Sequence, residues 1–411
     1  MLAINGGEKA ITKEFPVDER YVGNELAYLK TALAQNTLFY AHGDHVKRFT
    51  KRFSEIMGMQ YGVAASSCSA AIHTALAALG VGPGDEVILP PITDMGGIIG
   101  ILAQFAVPVF ADLDPDTYNM TAESIEAAIT SKTKAVVVTH LAGNPCEMDE
   151  IMAVTKKHGI YVVEDAAQAY RSFHRGKHVG TFGDIGCFST NEFKHISTGD
   201  GGICLTNNEG LAKRMLMFTD KGYNRQATTM EEMRDVKEFC VNYRMTELQG
   251  AVGLAQLEKL NSICTATAAL GNELTKQLRG IDGIIPPKVM DHNVSCYWFY
   301  MFKIDLNKFP CDVVRLGEAI QAEGVGAYGG YIGRCLYEYD FIKDGKMYPG
   351  SRPEDGFNNP RFHEYKRGLC PNAEQLLIES VNIKITSAYS MEDIYAIARA
   401  IKKVCENRHE L

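Results

Sequence analysis

The 411-residue sequence lacks several things that would have placed it quickly. No stretch of 18 apolar residues occurs, so no membrane span is expected. No basic run stands out and the formal net charge is -8, which makes nucleic acid a poor partner. The opening run MLAINGGEKAITKEF has no apolar core and no small-residue cleavage pattern, so it does not read as a secretory leader. The 11 cysteines are odd in number, scattered, and never spaced Cys-x-x-Cys, which argues against a disulfide framework or a zinc site. No metal site is expected. A reducing, cytoplasmic setting fits this cysteine usage.

What is present is ordinary for a globular enzyme: 46% hydrophobic and 22% charged residues. At roughly 150 residues per domain, the length suits two or three structural units. From Tyr61 to Leu205, short Val/Ile-rich runs alternate with helical stretches. Candidate strands are Tyr61–Ala65, Glu86–Leu89, Val107–Ala111, Ala135–Thr139, Tyr161–Glu164, Gly186–Ser189 and Gly202–Leu205. Candidate helices between them are Ala70–Leu79, Gly96–Phe105, Ala122–Ile129 and Met148–His158. Such alternation predicts an α/β fold, a mostly parallel seven-stranded sheet between helices. Glu247 to about Arg279 reads as one long helix or two. After about Gly280 a smaller α+β unit follows, with an aromatic strand at Tyr297–Ile304, a helix at Asp312–Glu323, a strand near Val381–Ile385 and a last helix at Met391–Glu406. The expected division is residues 1–275, with an N-terminal arm, and 276–411. Lys343–Gly368 is polar, aperiodic and rich in Gly and Pro, a long loop that covers a site or lies on the surface.

Ligands of open α/β sheets bind at the carboxyl ends of the strands. After the first strand comes Ser66-Ser67-Cys68-Ser69-Ala70-Ala71, opening a helix. Small residues, free N–H groups and the helix dipole suit an anion such as phosphate, with Ser69 adding a hydroxyl. A plain N-cap is the common alternative. After strand Tyr161–Glu164 comes Asp165, which would need a cation if buried, or else caps the next helix. After strand Gly186–Ser189 comes Lys194, ahead of the turn Thr198-Gly199-Asp200-Gly201. A lysine partly buried there has a lowered pKa, as a Schiff base requires. Taken singly each has an ordinary reading. Together, in this order, an anion cup, a strand-end aspartate and a later lysine are the three fixed points of a pyridoxal-phosphate site.

The stretches Gly82–Pro90, Val109–Tyr118, His140–Pro145, Glu164–Ala169, Gly183–Lys194 and Asn242–Leu257 resemble the DegT/StrS family of sugar aminotransferases over most of the chain, about Gly6 to Val404. The resemblance implies the fold type I architecture of pyridoxal-phosphate transferases. It implies that Lys194 is the Schiff-base lysine, that Asp165 partners the pyridine nitrogen, and that Gln168 lies near the phenolic oxygen. It implies that Ser189, Cys68 and Ser69 hold the phosphate, and that Asn242 reaches the phosphate of a neighbouring subunit, hence a homodimer with shared active sites. Two departures stand out. Cys68-Ser69 replaces the family's Gly-Thr, where a structural role for the thiol is expected. Asp94-Met95 follows Pro90-Pro91-Ile92-Thr93 where the family stacks an aromatic ring, which leaves Met95 as a candidate cover.

The implied reaction is transfer of an amino group from glutamate or glutamine to a keto-sugar, nucleotide-linked keto-sugar or keto-cyclitol. The alternatives are a deoxysugar dehydratase, whose relatives carry histidine in place of the lysine, and a non-catalytic cofactor-binding regulator of the same fold. Further residues have milder readings: His42 and His45 in a surface or entry loop, Trp298 in small-domain core, and Tyr223, Asn224, Arg225 and Tyr331 as secondary candidates for substrate loops.

Overall fold

The computed structural model describes residues 1–347, 350 and 361–411. In chain order its strands are β1 (Tyr61–Ala65), β2 (Glu86–Leu89), β3 (Val107–Phe110), β4 (Thr133–Thr139), β5 (Tyr161–Asp165), β6 (Phe173–His174), β7 (Lys177–His178), β8 (Ile185–Ser189), β9 (Gly202–Thr206), β10 (Ile284–Ile285), β11 (Asn293–Val294), β12 (Tyr300–Ile304), β13 (Ala327–Gly329) and β14 (Ser380–Ile383). The helices are α1 (Glu25–Ala34), α2 (His45–Met57), α3 (Cys68–Ala78), α4 (Gly96–Ala103), α5 (Ala122–Ala128), α6 (Met148–His158), α7 (Glu209–Thr219), α8 (Met230–Met233), α9 (Glu247–Leu278), α10 (Val313–Ala322), α11 (Asp340–Lys343), α12 (Pro371–Glu379) and α13 (Met391–Glu406).

Seven strands form one sheet in the order β1-β9-β8-β5-β4-β2-β3. The pairs among β3, β2, β4, β5 and β8 are parallel, and β9 runs antiparallel to both β8 and β1. All seven strands expected from the sequence are there, with ends shifted by at most two residues. Both faces are covered, which is why β8 and β9 are buried throughout and read as unbroken apolar runs. One face packs on α3, α4 and α6 through Ile72, Leu76, Ile98 and Ile151. The other packs on α2 and α9 through Phe49, Phe53, Leu254 and Leu257, with Tyr170 and Phe188 between. The stretch from Glu247 is one helix of 32 residues, started by a capping box in which Thr246 and Gln249 exchange hydrogen bonds.

A second sheet, β10-β12-β14-β13, packs on α10 and α13. The aromatic strand is shorter than expected, because Tyr297 takes a positive φ of 47° and the chain turns there before β12 begins. Leu2 and Ile11 bury into this second core, and Ile11 N–H donates to Glu323 O at 3.0 Å, so the N-terminal arm lies along the small unit. A third, small sheet joins β11, β6 and β7. Of the expected loop Lys343–Gly368, Tyr348, Pro349 and Ser351–Pro360 lie outside the described residues. Among the described residues no helix is long and apolar enough to cross a membrane.

Candidate active site

The carboxyl ends of β1, β5 and β8 open on a cavity of about 930 Å³, closed from the other side by the N-terminal arm and the small unit. Ser67, Cys68, Ser69, Asp165, Gln168, Ser189 and Lys194 line it, as do Arg20 of the arm and Lys384 just past β14.

At one end stands the N-terminus of α3. Ser67 caps it, its hydroxyl accepting the Ala70 N–H at 3.1 Å. The N–H groups of Cys68 and Ser69 have no hydrogen-bond partner among the described residues and remain available to an anion. Gly202 permits the close approach of β9 here: a Cβ on it would sit 2.2 Å from Ser67 O. The Ser189 hydroxyl accepts the Asn191 N–H at 3.3 Å, which leaves its own proton to donate. Burial pushes the Cys68 thiol up, so it stays protonated. That fits the structural role expected for it.

Asp165 closes β5. It is buried, and its one side-chain hydrogen bond is from Ala167 N–H to Oδ1 at 3.1 Å. Burial raises its pKa against the pull of Ala167 N–H, Lys194 and His140. Such a carboxylate is short of a cation. Beside it, Glu164 faces the opposite way. Burial alone would raise it, but His140 at 3.1 Å and the N–H groups of Gly180, Phe182 and Gly183 hold it below the ordinary range. Two adjacent acids thus differ because one is fully solvated by the protein and the other is not.

Lys194 enters from the loop after β8. Burial lowers its pKa, with Asp165, Cys68 and Asp94 pulling the other way. Its Nζ lies 3.7 Å from the centre of the Trp298 ring. Trp298 in turn donates from Nε1 to Phe193 O at 2.7 Å, and Arg20 donates to Lys194 O at 2.7 Å, so the lysine loop is braced on both sides. Gln168 is fixed too: its Oε1 accepts Ala142 N–H at 2.7 Å and its Nε2 donates to Tyr331 Oη at 3.1 Å.

The remaining candidates divide. Met95 does not line the cavity. Its side chain packs on the large core, and Thr93, Asp94, Gly96 and Gly97 border the cavity instead. Asn242 is exposed, outside this cavity, on a segment bridged to Asp220 and one residue before Tyr243, whose carbonyl accepts the Ser66 N–H at 2.8 Å. His45 is buried rather than in a loop, held by Thr31, Gln35 and Glu247, while His42 is exposed. Tyr223 and Asn224 are not cavity residues, and Arg225 pairs with the buried Asp220. Trp298, expected in core, is a cavity wall, because the positive φ at Tyr297 turns the chain just before it. No periodicity signals that turn. Arg20, Thr93 and Lys384 likewise carry no local sign of their position.

Cavity, lysine and strand-end aspartate on this sheet define a pyridoxal-phosphate-dependent transferase of fold type I. The comparisons with known proteins agree. The model of the DegT/DnrJ/EryC1/StrS aminotransferase family matches residues 21–402. The spore coat polysaccharide biosynthesis protein SpsC of Bacillus subtilis is 35% identical, covering 88% of this chain and 90% of its own. A GDP-perosamine synthase of Caulobacter vibrioides is 35% identical over 73% of this chain and 76% of its own. An aminotransferase from Psychrobacter cryohalolentis superimposes with a TM-score of 0.85 at 28% identity, covering 96% of this chain and all of that one. The chain belongs to the DegT/DnrJ/EryC1/StrS aminotransferase family and is a pyridoxal-phosphate-dependent aminotransferase.

Proposed function

We propose that this enzyme transfers an amino group from glutamate or glutamine to a nucleotide-linked keto-sugar, with Lys194 and Asp165 as its catalytic residues. The observation that carries the assignment is the convergence on one cavity of the Lys194 amine, the Asp165 carboxylate and the open N-terminus of α3. Each has an unmet need that pyridoxal phosphate fits: two free N–H groups for a phosphate, a buried carboxylate for a protonated ring nitrogen, and an amine whose pKa burial lowers for an aldehyde carbon. The relatives named GDP-perosamine synthase support the sugar acceptor and its nucleotide.

When bound, the cofactor supplies a carbonyl carbon and an electron-withdrawing ring that carry the amino group between the two substrates. The protein supplies position and protons. Cys68 and Ser69 N–H groups and the Ser69 and Ser189 hydroxyls would hold the phosphate. Asp165 keeps a proton on the ring nitrogen. Gln168, held by Ala142 and Tyr331, would lie near the ring's phenolic oxygen. Lys194 Nζ would hold the cofactor's carbonyl carbon and, as a free amine, would take a proton from the substrate and return it, which its lowered pKa favours. Arg20 and Trp298 keep that amine aimed at the cavity. Asn242 completes the phosphate site of a partner subunit, so the working unit is a homodimer. The proposed division at residues 275/276 falls in the last turn of α9, between the unit whose sheet would hold the cofactor and the unit that contributes Lys384 to the cavity wall. A cytoplasmic setting completes the proposal.

The Lys194 amine in the cavity speaks against the dehydratase alternative, and the presence of Lys194, Asp165, Gln168 and Ser189 around one cavity speaks against a non-catalytic regulator. The test is spectroscopic. Purified protein with pyridoxal phosphate should show the visible band of a lysine-bound cofactor, which glutamate or glutamine bleaches with release of its keto acid. Adding a nucleotide-linked keto-sugar should restore the band and yield an amino sugar. A band that no donor bleaches would overturn the aminotransfer reading.

A further inference from the structure

Away from the cavity, three metal-capable side chains from three segments, Glu147, His174 and His292, meet at one point, with Asp149 beside them. Glu147 is the N-cap residue of α6, Asp149 lies in its first turn, His174 ends β6, and His292 directly precedes β11. The pairing of β11 with β6 sets Asn293 opposite His174, and Arg175 N–H donates to His292 O at 3.0 Å, which brings both histidines to the same edge. Glu147, His174 and His292 each offer one ligand atom, and the three lie within 4.8 Å of one another. His292 Nε2 is 2.7 Å from Glu147 Oε2, His174 Nδ1 is 4.0 Å from Glu147 Oε1, and Asp149 Oδ2 is 3.4 Å from His174 Nε2. The two imidazole rings are 5.4 Å apart and nearly perpendicular.

The surroundings are those of a built site. Asn293, buried, donates from Nδ2 to Glu147 Oε1 at 2.7 Å and so orients that carboxylate, and its Oδ1 lies 2.9 Å from His174 Nδ1, while Asp149 holds the other ring nitrogen, its N–H and its Oδ2 each 3.4 Å from His174 Nε2. Fixed second partners of this kind orient metal ligands. His174 is fully buried, whereas Glu147 and His292 are each 30% exposed, which leaves an entry route. Two imidazoles with carboxylates are the donor set of zinc and similar borderline cations. Calcium and magnesium prefer all-oxygen shells.

We propose that Glu147, His174 (through Nδ1) and His292 bind one divalent cation of the zinc class, with Asp149 steadying the far nitrogen of His174. Uptake opens the Glu147–His292 and His174–Asn293 contacts and displaces the proton each shares. The ion clips the segment around His292 to α6 and β6 of the large unit. Its role is structural, because none of its ligands lines the active cavity.

The test uses tag-free holoenzyme stripped with chelator. Titration calorimetry should find one zinc per chain, and the thermal midpoint should rise with zinc. His292→Ala and Glu147→Gln should abolish both effects while aminotransfer stays at the wild-type rate. X-ray absorption at the zinc edge of wild type should show nitrogen and oxygen neighbours. No binding by wild type, equal binding by either variant, or sulfur in the zinc shell would overturn the proposal.

Discussion

Replacing Asp165 by Asn should separate the needs of the empty site from those of the loaded one. In the cofactor-free protein, Asp165 is a buried carboxylate with one hydrogen bond, and burial raises its pKa. A raised acid binds more protons folded than unfolded. Its stabilising contribution is therefore complete below the ordinary aspartate range and is lost as pH rises through the folded value. Asparagine fits the same space, can still accept from Ala167 N–H, and carries no charge to desolvate. The cofactor-free variant should thus be at least as stable as wild type at neutral pH, with a thermal midpoint that depends less on pH. The loaded protein should behave oppositely. The carboxylate's contact with a protonated ring nitrogen is a charge-assisted hydrogen bond worth about 1.5–3 kcal/mol, or roughly 10- to 150-fold in cofactor affinity. Turnover should fall further, because asparagine does not hold the ring protonated. Thermal melts of stripped protein across pH, followed by cofactor titration read by absorbance, give both halves. A variant that binds the cofactor as tightly as wild type, or is plainly less stable when stripped, would refute the reasoning.

Four further outcomes are expected. Lys194→Ala should lose the visible band of lysine-bound cofactor and all turnover while keeping the wild-type melt; measurable turnover would count against the assignment. Because burial lowers the Lys194 pKa, the unprotonated fraction should persist below the ordinary lysine range, and the proton-transfer step should slow only as pH falls through that lowered value, as single-turnover rates across pH would show. Ser69→Ala and Ser189→Ala should each weaken cofactor binding by about 0.5–1.5 kcal/mol, seen as a rise in the cofactor dissociation constant without loss of the band. Glu164→Ala leaves three N–H groups and His140 Nε2 unpaired in the interior and should destabilise by about 3–5 kcal/mol, measured by denaturant unfolding.

Much of this protein is local in origin. The seven strands follow from Val/Ile-rich runs broken by glycine turns, and the sheet is legible because parallel strands must be apolar on both faces. The order of the anion cup, Asp165 and Lys194 along the chain places them at strand ends, and strand ends of such a sheet converge. The family resemblance adds the reaction and its substrate class to a pattern that already points to the cofactor.

What the tertiary structure decided is everything that depends on segments meeting from afar. Trp298 reads as one of four aromatics in a buried strand, and only the backbone turn at Tyr297 puts its ring beneath the Lys194 amine. Met95, chosen from the run Asp94-Met95, turns into the core instead. Arg20 reaches the lysine loop across 174 residues, and Glu147, His174 and His292 share an edge only because β6 pairs with β11. Composition and spacing encode which residues are apolar or ionisable. Burial, and with it the opposite pKa shifts of the neighbours Glu164 and Asp165, belongs to the assembled fold, because it depends on how many partners each charge finds there.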